Sequence, residues 1–342
     1  MTIEKWLIKP GESRVIDLED IRKLKIGLVG GQVDIVAHDE PGVRIEVHAV
    51  TGKDLRIEAS GDVVEIDHAQ LRWDNFLEVF RNFGAAGPKA EVSVAVPRGI
   101  TLNLGVVSAS ALVSGLRSGA RLNTVSGDII VDGLVGDLSV NAVSGDVQVR
   151  SLDGALSANS VSGEVAATGS IRKATIDTVS GDLLVDSTGR VDTVNLNTVS
   201  GESTVRLNEG HAANYVLRSV SGRVLVDGIK RSSSGPTNWV DSDGELSGSF
   251  VDVRVNSVSG AITVLRRAAS VEHNSFDEVA PHVDEPALQE VSVEDASGGA
   301  SVEAAADPDR LDGDGFGTER PDGERPDTER PDTDRLDTDR EA

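Results

Sequence analysis

The sequence predicts an all-β protein: a parallel β-helix, or solenoid, with coils of about 18–20 residues, followed by a disordered acidic tail. The first observation behind this prediction is a repeat. The motif Val-Ser-Gly-Asp or a close variant recurs nine times between residues 107 and 260. Counted at the glycine position, the copies are separated by 18, 18, 18, 18, 20, 21, 22 and 16 residues. Short apolar runs at such a period indicate stacked coils, since one coil cannot bury its own apolar face.

The second observation is that apolar and polar residues alternate around each copy, which is the period of a β-strand. In the third coil the apolar positions are Leu138, Val140, Val143, Val147 and Val149. We interpret these positions as inward and expect the motif valines, from Val107 and Val125 onward, to fill the core. The outward positions are rich in Ser, Thr and Asp and predict a hydrated surface without an apolar patch.

Three kinds of position predict where a coil changes direction. The alternation breaks once per coil, and at the break we expect a corner with a ladder of stacked side chains. The residues at this position are Asn123, Asn141, Asn159, Asp177, Asn197 and Asn256. The motif glycine predicts a second bend, and a third is predicted near Gly136, Gly154, Gly169 and Gly189. Each coil would then contain about three short strands.

Composition divides the chain into three parts. Residues 1–100 are β-rich without the tight repeat, and we expect them to form irregular first coils or a short sheet that covers the end of the rod. An insertion at residues 69–88 carries aromatic residues at roughly helical spacing. Trp73, Phe76 and Phe80 are candidate docking residues for a partner or a membrane surface, and the alternative is a lid over the N-terminal coil. Residues 101–267 contain the regular repeats.

The third part, residues 268–342, lacks the alternating pattern. It contains 23 acidic and 6 basic residues, so it carries −17 of the formal net charge of −24. Its end repeats every five residues with proline at Pro321, Pro326 and Pro331, which disfavours helix and strand. We predict a disordered tail that either improves solubility or binds a basic partner. The negative balance of the chain argues against nucleic acid as a ligand.

The chain contains no cysteine, no N-terminal export signal and no apolar stretch long enough to cross a membrane. These features predict a cytoplasmic protein without disulfide bonds or a transmembrane segment. Association with the cell surface would need a signal that the sequence as written does not contain.

The most prominent candidate site is a column of carboxylates, the acidic column. An acidic residue follows the motif glycine in five successive coils, at Asp128, Asp146, Glu164, Asp182 and Glu202. The column could bind Ca²⁺, but the chain lacks the Gly-Gly-x-Gly-x-Asp units of calcium-binding rolls. We therefore favour a turn-forming role for the Gly-Asp pairs and predict no metal and no other cofactor.

Catalysis is another use to which such a column could be put. Stacked carboxylates are roughly 5 or 10 Å apart, which brackets the separations in glycosidases, so the spacing alone has no diagnostic value. The coils between residues 109 and 222 lack the long loops and aromatic residues of a sugar-binding groove. The six histidines show no metal-ligand spacing, and no base accompanies the motif serines. We predict that the protein is not an enzyme.

The repeated Val-Ser-Gly-Asp units follow two further features, the strand end Val94-Ala95-Val96-Pro97 and the stretch from Gly31 to Ile35. Together they resemble the bacterial β-strand-repeat family named "putative adhesin", a domain family of unknown function. The resemblance covers about residues 15–265. It implies a right-handed β-helix-like fold, no established catalytic residue, and a role in bacterial envelope stress or at the cell surface.

These observations predict a non-enzymatic β-solenoid that acts as an adhesin-like interaction scaffold for an unknown protein or cell-envelope partner. Two alternatives stay open. One is a carbohydrate-active enzyme that uses the acidic column, and the other is a cytosolic regulatory scaffold that docks through the aromatic segment at residues 71–83. Uncovered ends of the rod would also allow end-to-end self-association.

Overall fold

The computed structural model describes residues 3–68, 87–210, 212–232, 235–244 and 249–267, and the regular structure of these residues is entirely β. The strands that precede the repeats are β1 (Ile3–Ile8), β2 (Arg14–Leu18), β3 (Lys23–Leu28), β4 (Gly30–His38), β5 (Val43–Thr51), β6 (Leu55–Ser60), β7 (Val63–His68) and β8 (Lys89–Pro97). The predicted docking residues Trp73, Phe76 and Phe80 and the acidic tail lie outside the described residues.

The repeats contribute sixteen strands to this part of the chain. The first ten are β9 (Thr101–Val106), β10 (Ser110–Ser114), β11 (Ala120–Thr124), β12 (Ile129–Asp132), β13 (Leu138–Ser144), β14 (Val147–Ser162), β15 (Val165–Ser180), β16 (Leu183–Ser187), β17 (Thr193–Ser200) and β18 (Ser203–Asn208). The other six are β19 (Ala212–Ser219), β20 (Val224–Val226), β21 (Ile229–Lys230), β22 (Thr237–Asp243), β23 (Phe250–Ser259) and β24 (Ile262–Arg267).

The central coils are stacked in parallel and in register. On one face β11 pairs with β13, which places Asn123 beside Asn141, and β13 pairs with the second half of β14. On the other face β12 pairs with the first half of β14, which places Val131 beside Val149. Each of these pairings joins residues 18 apart. The solenoid-like stack predicted from the motif period is therefore confirmed.

The strands β14 and β15 are longer than the short strands, three per coil, that the sequence predicts. The third bend does interrupt the geometry, with φ of 157° at Gly154 and 141° at Gly169. However, β14 and β15 run through it as continuous strands of 16 residues each, with only local register shifts. Between the two shifts, residues 152–154 form a short paired segment with residues 169–171, and Leu152 in it is buried like Leu134 one coil earlier. The predicted third stretch of the coil is therefore present, although no break separates it from the neighbouring strand.

The interior consists of columns of aliphatic side chains, one from each coil. One column contains Leu122, Val140, Ala158, Ile176, Leu196, Val255 and Leu217. A second contains Val131, Val149, Ala167, Val185, Val205, Val264 and Val226. Burying each Val or Leu contributes about 1.5–3 kcal/mol relative to leaving it exposed, so the stacked columns are the main source of stability.

The motif valines do not fill this core, contrary to the prediction. Only Val107 and Val125 are buried, whereas Val143 and its equivalents in the later coils are exposed. The alternation does not break at the asparagine position: in β13, Ala142 is buried and its neighbours Asn141 and Val143 are exposed. The strand therefore continues through Asn141, and the predicted corner at that position is wrong.

The coil turns instead at the motif glycine, as predicted for the second bend. The φ angles of Gly145, Gly163, Gly181 and Gly201 lie between 114° and 143°, a region that disfavours side chains. A Cβ atom on Gly181 would lie 2.0 Å from the carbonyl oxygen of Gly163. Glycine is required here by both the backbone angle and the close approach of the preceding coil.

At both ends the order of strands in the stack differs from their order in the chain. At the C-terminal end, β23 lies between β17 and β19, so that Asn256 is beside both Asn197 and Arg218. Next to β19, the strand β22 runs antiparallel, so the motif copy that begins at Ser242 is not a coil. At the N-terminal end, β3 lies between β7 and β9, and β1 and β6 continue the sheet in antiparallel orientation.

Candidate functional site

The exposed motif valines form a continuous row along one face, the valine ladder. In stacking order its members are Val143, Val161, Val179, Val199, Val258 and Val220. Their exposed fractions lie between 40% and 53%. Six stacked valines span about 24 Å at the usual strand spacing. The hydrated surface predicted from the sequence is therefore wrong along this line, because an apolar stripe crosses it.

A ladder of amide side chains runs beside the valine ladder. The Nδ2 of Asn141 donates to Oδ1 of Asn123 at 2.9 Å, and Asn159 repeats the bond to Asn141 at 3.0 Å. Further along, Asn197 donates to Asp177 at 2.7 Å, and Asn256 donates to Asn197 at 2.8 Å. The predicted ladder is confirmed, although it lies on a strand and not at a corner.

The structure gives the acidic column a role in the backbone. Asp128, Asp146 and Asp182 each accept, through Oδ1, the backbone N–H of the residue one coil further along, at 3.0, 2.9 and 2.7 Å respectively. All five side chains of the column are exposed. The aspartates therefore satisfy a donor at each bend, and binding by the column remains a prediction.

The motif serines bond to the coil before them. Ser126 and Ser162 donate from Oγ to the carbonyl oxygens of Val107 and Val143, at 3.1 and 3.2 Å. These serines therefore link successive coils. Their hydroxyl protons are already donated to backbone carbonyl oxygens, whereas a nucleophilic serine would donate its proton to a base.

Two clefts open at the C-terminal end of the stack. The apolar cleft has a volume of about 490 Å³, and its lining includes Val199, Val258, Val220, Pro236 and Arg218. The basic cleft has a volume of about 570 Å³, and its lining includes Val220, Ser221, Arg223, Lys230, Ser232 and Glu202. Val220 lines both clefts, so they adjoin. Sequence reasoning missed both, although Arg223 in an otherwise acidic position was a visible signal.

His68 is a buried titratable group at the other end of the rod. Burial lowers its pKa to about 4, and the charge of Lys53 contributes in the same direction. Its Nδ1 accepts the backbone N–H of Val29 at 3.3 Å, and its Nε2 has no hydrogen-bond partner in the described part of the chain. The neutral imidazole is thus part of the N-terminal core.

Residues 3–68, 87–210, 212–232, 235–244 and 249–267 contain no group of three or more His, Asp or Glu side chains that could hold a metal ion. Within the same ranges, no helix has the length and hydropathy that a membrane crossing requires.

The fold and its ladders define a class of protein: a solenoid-like, all-β repeat protein whose outward positions repeat from coil to coil. Within that class, the chain belongs to the Toastrack DUF4097 family, whose model matches residues 21–265. This assignment confirms the resemblance to a β-repeat domain family of unknown function. No curated protein matches the chain.

Several solved structures are similar to this chain. A putative cell adhesion protein from Clostridium sporogenes ATCC 15579 is 14% identical and covers 76% of this chain and 100% of its own, with a TM-score of 0.28. A putative adhesin from Bacteroides fragilis NCTC 9343 is 11% identical and covers 75% and 98%, with a TM-score of 0.36. A putative lipid binding protein from Parabacteroides distasonis ATCC 8503 is 12% identical and covers 76% and 97%, with a TM-score of 0.32.

Proposed function

We propose that the protein is a non-enzymatic, adhesin-like β-solenoid scaffold whose valine ladder binds a protein partner at the bacterial envelope. The observation that carries the proposal is the register of six half-exposed valines on one face. A contiguous apolar stripe costs solubility, and on soluble proteins such surfaces are typical of interaction sites.

The stripe suits binding because its support is rigid. Ser160 and Thr198, which precede Val161 and Val199, are buried and donate to the backbone carbonyl oxygens of Ser162 and Ser200 at the glycine bend. The amide ladder beside the valines adds donors and acceptors that a partner strand or loop can use. The valine ladder with the amide ladder at its side resembles a protein interface, which has an apolar core and a polar rim.

The carbohydrate-active enzyme is the weaker alternative. Three of the five carboxylates in the acidic column already accept backbone N–H groups, which ties them to the bends. A general acid or nucleophile must be free to contact the substrate, and these oxygens bind the next coil. The right-handed winding of the coils and the disordered acidic tail stay predictions, as does docking through residues 71–83.

Site-specific photo-crosslinking in cells tests the proposal. A crosslinking amino acid at Val161 on the ladder should give a discrete product with a partner protein, and one at Gln148, exposed on the other face, should not. The double variant Val143→Asp/Val179→Asp should abolish the product while leaving the melting temperature within a few degrees. Equal crosslinking at Gln148, or none at Val161, would refute the ladder as the binding face.

A further inference from the structure

The apolar cleft and the basic cleft meet at Val220, and we propose that together they bind an anionic amphiphile with one acyl chain and a phosphate headgroup. The acyl chain would lie in the apolar cleft and the phosphate in the basic cleft. This ligand differs in class from the protein partner proposed above. The site lies at the C-terminal end of the stack, where it includes the last three valines of the ladder, Val199, Val258 and Val220.

The apolar cleft has the size and lining of a site for a hydrocarbon chain. Its volume of about 490 Å³ lies in the range of small-molecule sites, roughly 300–1,000 Å³. Val199, Val258 and Val220 line it in three successive coils, and their side chains are 48%, 47% and 53% exposed. Pro236 adds apolar surface just before β22. An acyl chain along these valines would cover apolar surface that water now contacts.

The basic cleft occurs where the acidic column changes sign. Ser203, Ile262 and Val224 are paired across three neighbouring coils, so the residues before them, Glu202, Ala261 and Arg223, occupy successive levels of the column. The column therefore passes from a carboxylate through alanine to a guanidinium. Glu202 and Arg223 are two levels, or about 10 Å, apart along the stack.

The cations of this cleft differ from other arginines near this end of the stack. Arg254 and Arg266 form ion pairs with Asp252 and Asp227, each at 2.6 Å. In the described residues neither Arg223 nor Lys230 forms such a pair, and both are exposed. A guanidinium and an ammonium can together bind a phosphate, since each donates charge-assisted hydrogen bonds to its oxygens.

The connection between the two clefts is one short segment of chain. Val220-Ser221-Gly222-Arg223 is the motif copy at the bend of this coil, and it runs from the apolar cleft into the basic cleft. A Cβ on Gly222 would lie 1.8 Å from the carbonyl oxygen of Gly260, so the bend is held close to its neighbour. Chain and headgroup of one amphiphile would therefore contact adjacent positions of one rigid segment.

Titration calorimetry with the full chain and dodecyl phosphate, below its critical micelle concentration, tests the proposal. We expect saturable binding with one molecule per chain, weakened by added salt. Inorganic phosphate and dodecyltrimethylammonium, which separate the headgroup from the chain, should each bind at least tenfold more weakly. Equal affinity for inorganic phosphate would overturn the proposal in favour of a simple anion site, and binding only to phosphatidylglycerol vesicles would overturn it in favour of a membrane surface.

Variants locate the site. Arg223→Glu/Lys230→Glu and Val258→Asp should each reduce the affinity for dodecyl phosphate at least tenfold. Arg121→Glu and Val135→Asp change the same residue types outside both clefts and outside the valine ladder, and should leave it within about twofold. If Arg223→Glu/Lys230→Glu lowers the melting temperature, the milder Arg223→Gln/Lys230→Gln replaces it. Unchanged affinity in the cleft variants, or equal losses in the controls, would overturn the proposal without bearing on the crosslinks at Val161.

Discussion

Oδ1 of Asp146 accepts a hydrogen bond from the backbone N–H of Glu164, one coil further along the stack, at 2.9 Å. The bond lies at the glycine bend, where the chain leaves one face and a backbone donor would otherwise face solvent. An aspartate has the reach to make this bond, and the repeat supplies one at three levels, Asp128, Asp146 and Asp182. Coil-to-coil bonding therefore accounts for the three aspartates of the acidic column before any ligand is considered.

Replacing Asp146 with alanine should lower the free energy of unfolding by about 1 kcal/mol, because the N–H of Glu164 loses its acceptor. Asp146→Asn retains an acceptor oxygen and should recover most of the loss. Urea denaturation followed by circular dichroism measures the difference.

Glu164→Ala is the matched control for this prediction. In the described residues the carboxylate of Glu164 makes no equivalent bond, and the side chain is exposed. The change should therefore alter the free energy of unfolding by less than about 0.5 kcal/mol. Equal losses for Asp146→Ala and Glu164→Ala would mean that charge or strand propensity, and not the hydrogen bond, decides the stability of the bend.

The sequence was sufficient to predict the solenoid because its period is a physical requirement. A repeat of 18 residues keeps columns such as Val131 and Val149 in register, and only glycine allows the close approach at Gly181. The direction of the motif valines was harder to predict. Valine is compatible with either side of a strand. The direction of the motif valine is indicated by the residue before it, because Thr124, Ala142 and Ser160 are small and buried inside the bend.

The order of the terminal coils had no comparable signal. The columns of β17, β19 and β23 contain similar residues, so alternation alone fits either order of β19 and β23. What distinguishes them is contact between distant residues, such as the bond from Asn256 to Asn197 across 59 positions of the chain. The clefts depend on this order, since Val258 lies between Val199 and Val220 only because β23 is inserted there.

The outward direction of the motif valines predicts an unequal response to a polar substitution. Val179 is 51% exposed, so Val179→Thr should change the free energy of unfolding by less than about 0.5 kcal/mol. Val185 is fully buried in the core, so Val185→Thr places a hydroxyl in the interior and should cost about 2 kcal/mol. Urea denaturation of the two variants checks the contrast, and a larger loss for Val179→Thr would place that valine inside.

The lowered pKa of His68 predicts that the protein loses stability in mild acid. Its pKa is about 4 in the folded protein and near 6.5 in an unfolded chain, so between these values the unfolded state binds more protons. Stability is therefore unaffected by this group above about pH 6.5 and decreases as the pH falls toward 4. Between about pH 7.5 and pH 5.0 the loss from this group amounts to roughly 2 kcal/mol.

The variant His68→Gln tests this assignment, because glutamine offers an acceptor to the N–H of Val29 and does not titrate. Urea denaturation at the two pH values should show a loss about 2 kcal/mol smaller in His68→Gln than in the original protein. An equal loss in His68→Gln and in the original protein would assign the effect to other groups.

The inserted position of β23 predicts which engineered cysteine pairs form disulfides in a chain that has no cysteine of its own. Asn197 and Asn256 are directly paired, so their Cα atoms are about 4.8 Å apart and fit a disulfide. Asn197 and Arg218 are separated by β23, about 9.6 Å, which is beyond the reach of a disulfide. Under mild oxidation Asn197→Cys/Asn256→Cys should therefore form a bond, visible as a mobility shift on non-reducing gels, and Asn197→Cys/Arg218→Cys should not.

The positive control is the pair Asp177→Cys/Asn197→Cys, because these residues belong to coils that are successive in both the chain and the stack. Bonding of the Arg218 pair instead would show that the coils stack in chain order and would remove Val258 from the apolar cleft.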